Sequence, residues 1–309
     1  MATGKDTIFE RYLAPVLELL VDQKAVMRAY ESIDWQAATD RLRCSTLTYP
    51  EYYESQNFHG IQGGYLNREA ALSYDPILQY ALPPNEALVR QEVVQAVKGH
   101  PRRILDLACG TGSTTLLLKQ AFPDAEVIGL DLSVPMLVIA ESKAKKAGVP
   151  LTLVHGNAER TLFPDASFDL VTASLLFHET PPSITRAILT ECHRLLTVGG
   201  EIVILDGNQK TLNQVGWLTE IFEEPYIKSY AAGNLDAWLG RAGFGAVTSR
   251  DLWWIHQVSY GVKPLSAQNP DAATVRNRRD ARMMEDNTEG MQPAFGTITV
   301  GYGTQSRFV

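Results

Sequence analysis

The chain has 309 residues, of which 28 are Lys or Arg and 35 are Asp or Glu, so its formal net charge is −7. With 45% hydrophobic and 20% charged residues it has the composition of a globular protein long enough to bury an α/β core, which excludes wholesale disorder. It shows no basic stripe, so we expect no nucleic-acid partner.

The sequence also argues against a membrane or disulfide-rich class. No apolar run approaches the ~18 residues of a membrane span, so we expect no integral membrane association. Charged residues such as Lys5 and Glu10 leave only a short apolar stretch near the start, which is unlike a signal peptide. The three cysteines form no CxxC pair, which argues against a disulfide framework or metal ligation. We predict a cytoplasmic protein with reduced thiols and no metal.

The first part of the chain predicts helices followed by a cap. Residues 5–43 carry apolar side chains at helical spacing and predict two or three helical segments. Residues 44–67 change character, because six aromatic or histidine side chains crowd beside Gly60, Gly63 and Gly64. Such a segment is more typical of a cover over a site than of a regular element. We therefore assign residues 1–85 to an N-terminal helical segment and aromatic cap.

Residues 86–263 alternate between strand and helix patterns, which predicts a parallel sheet with helices on both faces. The predicted helices cover 113–121, 134–147 and 183–196. The seven predicted strands cover 103–107, 125–130, 151–155, 168–173, 201–205, 246–254 and 256–263, the last two pairing antiparallel. The fold class is therefore α/β: a Rossmann-like, seven-stranded, mostly parallel sheet with an N-terminal helical cap and a C-terminal extension. That extension, 264–309, contains one more strand candidate at Phe295–Tyr302.

A ligand-binding turn follows the first strand, where residues 104–113 run from a hydrophobic strand through Gly110 and Gly112 into a helix. Glycines there let the backbone approach a ligand closely. Asp131 ends the second strand and is placed to accept hydrogen bonds from the ribose hydroxyls of an adenosine. Asp106 and Thr115 disfavour a dinucleotide, because a carboxylate repels pyrophosphate and the fingerprint requires Gly or Ala at 115. A carboxylate at 106 suits the ammonium group of an amino-acid tail instead.

These residues resemble a known family. The stretch Asp106-Leu-Ala-Cys-Gly110-Thr-Gly112 resembles the first motif of class I S-adenosylmethionine-dependent methyltransferases. Further segments resemble the later motifs in order: Gly129-Leu-Asp131, Gly156-Asn157-Ala158-Glu159, Phe168-Asp169-Leu170-Val171 and Arg194-Leu-Leu-Thr-Val-Gly199-Gly200. More loosely, Phe58-His59-Gly60 and Gly63-Gly64-Tyr65-Leu66 resemble a stretch of the ubiquinone and tocopherol methyltransferases.

The resemblance implies S-adenosyl-L-methionine as the cofactor and methyl transfer to a carbon, oxygen or nitrogen of a small metabolite. The aromatic residues that follow the fifth strand suggest that this metabolite is apolar or aromatic. The resemblance also implies the cofactor-binding residues Asp106, Gly110, Gly112, Asp131, Leu132, Asn157, Ala158, Tyr65 and Ser174. The pocket after the fifth strand and the cap together suggest the substrate-binding residues Tyr52, Tyr53, His178, Trp217 and Tyr226. The alternative for these aromatic side chains is plain packing.

Two histidines are candidate catalytic residues. His178 lies just beyond the fourth strand, where ligands collect in open α/β sheets, and could take a proton from the acceptor. Its alternative role is a structural loop histidine bonded to backbone. His59 in the cap is the second candidate, with the weaker claim.

Two other functions stay open at this stage. A silent protein could bind the cofactor and serve as a regulator or scaffold, although the aromatic cap and nearby histidine would then have no purpose. A nicotinamide dehydrogenase is disfavoured by Asp106 and Thr115. We expect a small-molecule substrate as the partner, and whether the chain forms a homodimer is left open.

Overall fold

The sheet is built from the hydrophobic segments that the sequence singles out. A computed structural model describes residues 22–81, 84–221 and 224–265 of the chain. The seven strands are β1 Arg103–Leu107, β2 Glu126–Asp131, β3 Thr152–His155, β4 Phe168–Ser174, β5 Leu196–Gly207, β6 Gly245–Leu252 and β7 His256–Val262. Their order is β3-β2-β1-β4-β5-β7-β6, with β7 antiparallel to both neighbours. The predicted seven-stranded, mostly parallel sheet is confirmed.

The helices follow the predicted alternation. In the N-terminal part they are α1 Gln23–Glu31, α2 Trp35–Leu42, α3 Glu51–Glu54 and α4 Arg68–Ala81. In and after the sheet they are α5 Glu86–Ala96, α6 Ser113–Ala121, α7 Val134–Ala147, α8 Pro182–Leu195, α9 Gln209–Gln214, α10 Gly216–Ile221, α11 Ile227–Ala231 and α12 Leu235–Arg241. Short 3₁₀ turns occur at Phe58–Gly60, Gly64–Leu66 and Phe177–Glu179.

Each face of the sheet is covered by helices because neighbouring strand residues point to opposite sides. In β1, Leu105 packs in a cluster with Ile188 of α8, whereas Ile104 packs in a second cluster with Val89 of α5. All four of these side chains are buried almost completely. Two hydrophobic layers therefore hold the strands rigidly, and the strand ends become a firm base for a site.

Strand β5 begins five residues earlier than the sequence pattern predicts. Phe168 of β4 pairs with Leu196, and the register then shifts so that Leu170 pairs with Glu201. Gly199 adopts a left-handed backbone with φ +83° inside this irregularity. The Gly199-Gly200 pair, which looks like a turn before the strand, is therefore an irregularity within it.

The N-terminal helices pack on α7. Trp35 of α2 and Phe58 share one buried cluster with Val134 and Val138 of α7. Polar contacts add to this packing: Ser133 Oγ donates to the Tyr65 carbonyl at 2.6 Å, and Lys143 Nζ donates to Asp75 Oδ2 of α4 at 2.6 Å. The predicted helical N-terminal region is confirmed for the part that the structure describes.

Some predictions lie outside the described residues. They are the helical stretch before residue 22 and the strand candidate at Phe295–Tyr302. The domain limits at 85 and 263 stay predictions. Within the described ranges, no helix has both the length and the apolar character needed to cross a membrane.

Candidate active site

A cavity opens where the carboxyl ends of the parallel strands face the cap. It contains roughly 700 Å³ of space, including the solvent at its open mouth. Its walls come from the ends of β1, β2 and β4, from residues 156–158 after β3, and from the cap. Of the nine predicted cofactor residues, seven line it: Tyr65, Gly110, Asp131, Leu132, Asn157, Ala158 and Ser174. Gly112 and Asp106 do not.

The glycine turn keeps the floor of the cavity open. Gly110 has φ +53°, and a Cβ added to it would meet no atom within 4 Å, so its methylene faces free space. Gly112 has φ +76° and caps the start of α6. A Cβ on Gly112 would lie 3.0 Å from the Ala140 side chain of α7, so this glycine allows close helix packing. Its predicted contact with the cofactor stays a prediction.

Asp131 is held by the backbone at the end of β2. Its Oδ1 accepts a hydrogen bond from the Ser133 N–H at 2.7 Å, and its Oδ2 accepts one from the Gly110 N–H at 2.8 Å. Burial raises the pKa of Asp131 to about 6, although these two N–H groups act to lower it. Each carboxylate oxygen can accept a further hydrogen bond from the cavity side. The side chain is therefore arranged to accept two ribose hydroxyls.

Asp106 is placed differently from the prediction. It is 1% exposed, and its two oxygens accept hydrogen bonds from the hydroxyls of Thr115 at 2.6 Å and Thr172 at 2.7 Å. Burial raises the pKa of its carboxyl group. Because Asp106 is not part of the cavity wall, the structure does not bring it to a ligand, and its grip on an ammonium group stays a prediction. Thr115, which disfavours a dinucleotide, serves to hold this carboxylate.

The remaining cofactor candidates lie at strand ends. Asn157 Oδ1 accepts from the Glu159 N–H at 2.8 Å, which fixes the amide against the cavity wall. Ser174 Oγ accepts a hydrogen bond from Thr114 Oγ1 at 3.1 Å. Ala108 and Leu175, which also line the cavity at the ends of β1 and β4, have φ of +52° and +59°. Such backbone strain in non-glycine residues is concentrated at functional sites.

The cap side of the cavity is aromatic. Five rings line it: Tyr52, Tyr53, Phe58, Tyr65 and Tyr74. Phe58 and Tyr65 stack with ring centroids 5.4 Å apart, and Tyr74 meets Tyr65 edge-on at 5.9 Å. Aromatic faces of this kind suit flat apolar ligands and positively charged groups. The structure thus brings the predicted Tyr52 and Tyr53 to the same cavity as Asp131.

His178 is held by a buried carboxylate. Its Nδ1 lies 2.6 Å from Asp206 Oδ1, and the backbone N–H groups of Phe177 and Gly207 also donate to this carboxylate, each at 2.7 Å. Burial lowers the pKa of His178, but the carboxylates of Asp206 and Glu179 outweigh it and raise the pKa to about 9. The ring does not line the cavity. The neighbouring Glu179 does, and His178 Nε2 lies 3.8 Å from Glu179 Oε1.

The second histidine candidate meets the same glutamate. His59 Nε2 lies 3.8 Å from Glu179 Oε1, and His59 Nδ1 lies 2.7 Å from Glu224 Oε1. Burial lowers the pKa of His59, whereas Glu224 and Glu179 raise it to about 9. The Tyr65 hydroxyl donates to Glu179 Oε1 at 2.5 Å, and burial together with Glu224 raises the pKa of Glu179. Two histidines and two glutamates therefore gather at one end of the cavity.

Besides His178, two other predicted substrate residues are not at the cavity wall. Trp217, at the start of α10, is 55% exposed on the surface. The Tyr226 hydroxyl donates to the Tyr52 carbonyl at 3.2 Å, so it supports the cap rather than lining the cavity. Sequence reasoning missed Tyr74, Glu179, Asp206 and Glu224 as site residues. Two of them carry a signal in the sequence, since Glu179 follows His178 and Asp206 directly follows the predicted strand 201–205. Glu224 carries none.

Comparisons with known proteins agree with this geometry. Residues 104–200 match the family model described as "Methyltransferase domain". A demethylmenaquinone methyltransferase of Thermus thermophilus is 34% identical over 152 residues, which cover 48% of this chain and 68% of the relative. A demethylmenaquinone methyltransferase of Geobacillus kaustophilus is 37% identical over 157 residues, which cover 50% of this chain and 63% of that relative. The matched segment thus spans about two thirds of each relative's length.

Solved structures support the fold. A putative O-methyltransferase of Nostoc punctiforme aligns with a TM-score of 0.53 and 19% identity, covering 74% of this chain and 67% of that one. Phosphoethanolamine N-methyltransferase 2 of Haemonchus contortus, solved with S-adenosyl-L-methionine, aligns with a TM-score of 0.52 and 14% identity, covering 72% and 62%.

Proposed function

Since this chain belongs to the class I S-adenosylmethionine-dependent methyltransferases, we propose that it methylates a small aromatic acceptor that carries a hydroxyl group, such as the reduced, hydroquinone form of a quinone. That the chain is a methyltransferase enzyme and uses S-adenosylmethionine follows from the family. The acceptor is the proposal. The proposal rests on one observation: the aromatic cap and Glu179 line the same cavity, and His178 lies behind Glu179.

The residues present fit the cofactor. Gly110 leaves open space where any side chain would intrude, and Asp131 presents two oxygens that can each accept one more hydrogen bond. Asp131 would hold the ribose, and the wall formed by Leu132, Asn157 and Ala158 would hold the adenine. When bound, S-adenosylmethionine supplies an electrophilic methyl group on a sulfonium. The protein's part is to hold an acceptor in line with it and to exclude water.

The aromatic cap supports an acceptor with a flat ring. Tyr52, Tyr53 and Tyr65 offer apolar faces on the side of the cavity opposite the strand ends, and stacked or edge-on ring contacts each contribute about 0.5–1.5 kcal/mol beyond area burial. The matched relatives are named for demethylmenaquinone, a quinone. The two observations agree on a ring-shaped acceptor.

The histidine–carboxylate pair supports a hydroxyl on that ring. Asp206 holds Nδ1 of His178, which leaves Nε2 facing Glu179 at 3.8 Å. Glu179 lines the cavity and anchors the hydroxyl, and His178 behind it takes the proton in its neutral form. Because the pKa of His178 is about 9, this form and therefore methyl transfer should increase toward pH 9. Loss of the proton makes the phenol oxygen and the adjacent ring carbons nucleophilic. The methyl group then passes to the oxygen, or to a ring carbon that afterwards loses its own proton, and S-adenosylhomocysteine leaves in both cases.

The test is a methyl-transfer assay with matched acceptors. Purified protein is incubated with methyl-labelled S-adenosylmethionine and a naphthohydroquinone, a simple phenol or an aliphatic amine of similar size. We expect label in the naphthohydroquinone product alone, and fragmentation of that product identifies the methylated atom. Calorimetric binding of S-adenosylmethionine without transfer to any aromatic hydroxyl would contradict the proposal and favour a silent cofactor-binding protein.

A further inference from the structure

Three metal-ligating side chains converge at the cap end of the cavity. His59 comes from the 3₁₀ turn of the cap, Glu179 from the turn after β4, and Glu224 from the segment that precedes α11. One nitrogen of His59 and one oxygen of each glutamate all lie within 4.8 Å of one another. Three segments far apart in sequence thus bring their ligand atoms to one point.

Glu224 is a buried carboxylate that lies beside His59 without an aligned hydrogen bond. Its side chain is 0% exposed, and neither carboxylate oxygen has a hydrogen-bond partner among the described residues. His59 Nδ1 lies 2.7 Å from Glu224 Oε1, but the contact is not aligned as a hydrogen bond. Buried carboxylates are rarely left this way, because losing water without a replacement partner is costly. An ion bound between the three side chains would satisfy both oxygens.

The spacing of the ligand atoms suits a small divalent ion. Donor atoms at about 2.0–2.2 Å from a tetrahedral ion lie about 3.3 Å from each other. One ligand atom from each of the three side chains lies within 4.8 Å of the other two, so these atoms would move together by about 1.5 Å at most on binding an ion. Once an ion displaces the proton of His59, two carboxylates and a neutral imidazole carry the charge that a dication balances. We propose that His59, Glu179 and Glu224 form a binding site for a divalent first-row transition metal.

The ligand set indicates which ions bind. Imidazole suits Zn²⁺ and its neighbours, carboxylates suit Mn²⁺ as well, and the absence of a thiolate in the set removes the preference for softer ions. Ca²⁺ and Mg²⁺ prefer oxygen ligands throughout and bind more weakly here. The Tyr65 hydroxyl, which donates to Glu179 Oε1, orients one ligand as outer partners of metal sites do.

Three protein ligands leave at least one coordination position open, as in catalytic metal sites. Glu179 lines the cavity, so the open position faces the space proposed for the acceptor. The chemical class of its occupant is an oxygen-bearing molecule such as the aromatic hydroxyl. The inference goes beyond the proposed function and does not depend on it, because the ion would bind to the protein alone.

The experiment measures metal binding to the full chain without either substrate. Protein stripped with a chelator is titrated with MnCl₂, and free Mn²⁺ is followed by electron paramagnetic resonance. Mn²⁺ is used because it binds poorly to the cysteines Cys44, Cys109 and Cys192. We expect one saturable site per chain, with affinity reduced at least about 10-fold in Glu224→Gln and His59→Gln. Glu220→Gln, an exposed residue nearby in sequence, serves as the matched control and should bind like wild type.

Two results would overturn the proposal. One is wild-type protein that binds no Mn²⁺ at one equivalent, which would mean that protons alone balance the negative charge of the two glutamates. The other is Mn²⁺ binding that is the same in wild type, Glu224→Gln and His59→Gln. Calorimetry of S-adenosylmethionine on each variant shows whether it is folded, and it also separates failure of the metal site from failure of the methyltransferase assignment.

Discussion

Different kinds of contact hold the side chains in place at the two ends of the cavity. At the cofactor end, Asp131 is fixed by backbone N–H groups of Gly110 and Ser133, which lie at the ends of elements packed in the core. At the acceptor end, Glu179 and His59 are held by other side chains. Backbone donors keep their place whatever the state of ionisation, whereas a cluster of side chains changes when one of them gains or loses a charge. The cofactor end is therefore preformed, and the acceptor end responds to pH and ligands.

This contrast divides the expected effects of mutation. Changes at the cofactor end should alter the affinity for S-adenosylmethionine, and changes at the acceptor end should alter turnover at nearly constant cofactor affinity. A substitution that alters both equally would break the division.

The largest effect is expected from His178→Ala. Removing the proton acceptor should lower kcat at least about 100-fold, the lower end of the usual contribution of general base catalysis. Cofactor affinity should stay within about twofold, because the ring does not line the cavity. Steady-state kinetics with the naphthohydroquinone and calorimetry check both values. His100→Ala, at an exposed position, is the control and should match wild type in each.

At the cofactor end, Asp131→Asn should weaken S-adenosylmethionine binding about 30-fold. The amide has the same size but only one oxygen, so one charge-assisted hydrogen bond to the ribose, about 2 kcal/mol, is lost. Calorimetry measures the change, and circular dichroism confirms the fold. Asp124→Asn changes an exposed carboxylate in the same way and should leave the affinity unchanged. Wild-type affinity in Asp131→Asn would contradict the ribose assignment.

The pH dependence of cofactor binding should be smaller and should follow Asp131. Its pKa of about 6 means that the carboxylate is ionised above pH 6 and gains a proton below it. Ionised oxygens accept the ribose hydroxyls, so affinity should be constant near pH 8 and about tenfold weaker at pH 5. The same titration on Asp131→Asn should lose this dependence. A flat profile in wild type would place the pKa of Asp131 well below 6.

The smallest effects should come from a pair of glycines with the same backbone. Gly110 and Gly148 have φ of +53° and +65°, and neither has an atom within 4 Å of an added Cβ. Alanine at either position should cost about 1 kcal/mol and lower Tm by about 2–4 °C. Only Gly110→Ala should also reduce cofactor affinity, by several-fold, because its methyl group enters the cavity. Equal losses of cofactor affinity in both variants would show that backbone strain alone explains the weaker binding.

Most of the fold and the cofactor end could be predicted because their signals are local. Helices at 113–121 and 134–147 coincide with α6 and α7, since apolar spacing, glycine turns and caps lie within each segment. Asp131 and Gly110 likewise stand at fixed distances within one strand–turn–helix unit. Asp106 shows the limit of this reasoning, because its partners Thr115 of α6 and Thr172 of β4 are set by how a helix and a neighbouring strand pack against β1.

The acceptor end could be predicted only in part. His59 and His178 stand out as residue types, but nothing in the sequence indicates that Glu224 meets them from a segment far along the chain. Trp217 shows the opposite error, since an aromatic residue in the expected pocket region lies on the surface. Contacts between distant segments depend on how the helices pack on the sheet. Residue patterns within one segment carry no information about this packing.

Ser133 connects the two ends. Its N–H donates to Asp131, and its hydroxyl donates to the carbonyl of Tyr65, whose own hydroxyl reaches Glu179. Under the proposed function, a nucleoside bound to Asp131 would also stabilise the Tyr65 peptide next to the acceptor. By reciprocity, an acceptor bound against Tyr65 would strengthen binding of the nucleoside. The Ser133 hydroxyl would thereby couple the binding of the two substrates and slow the dissociation of each while both are bound.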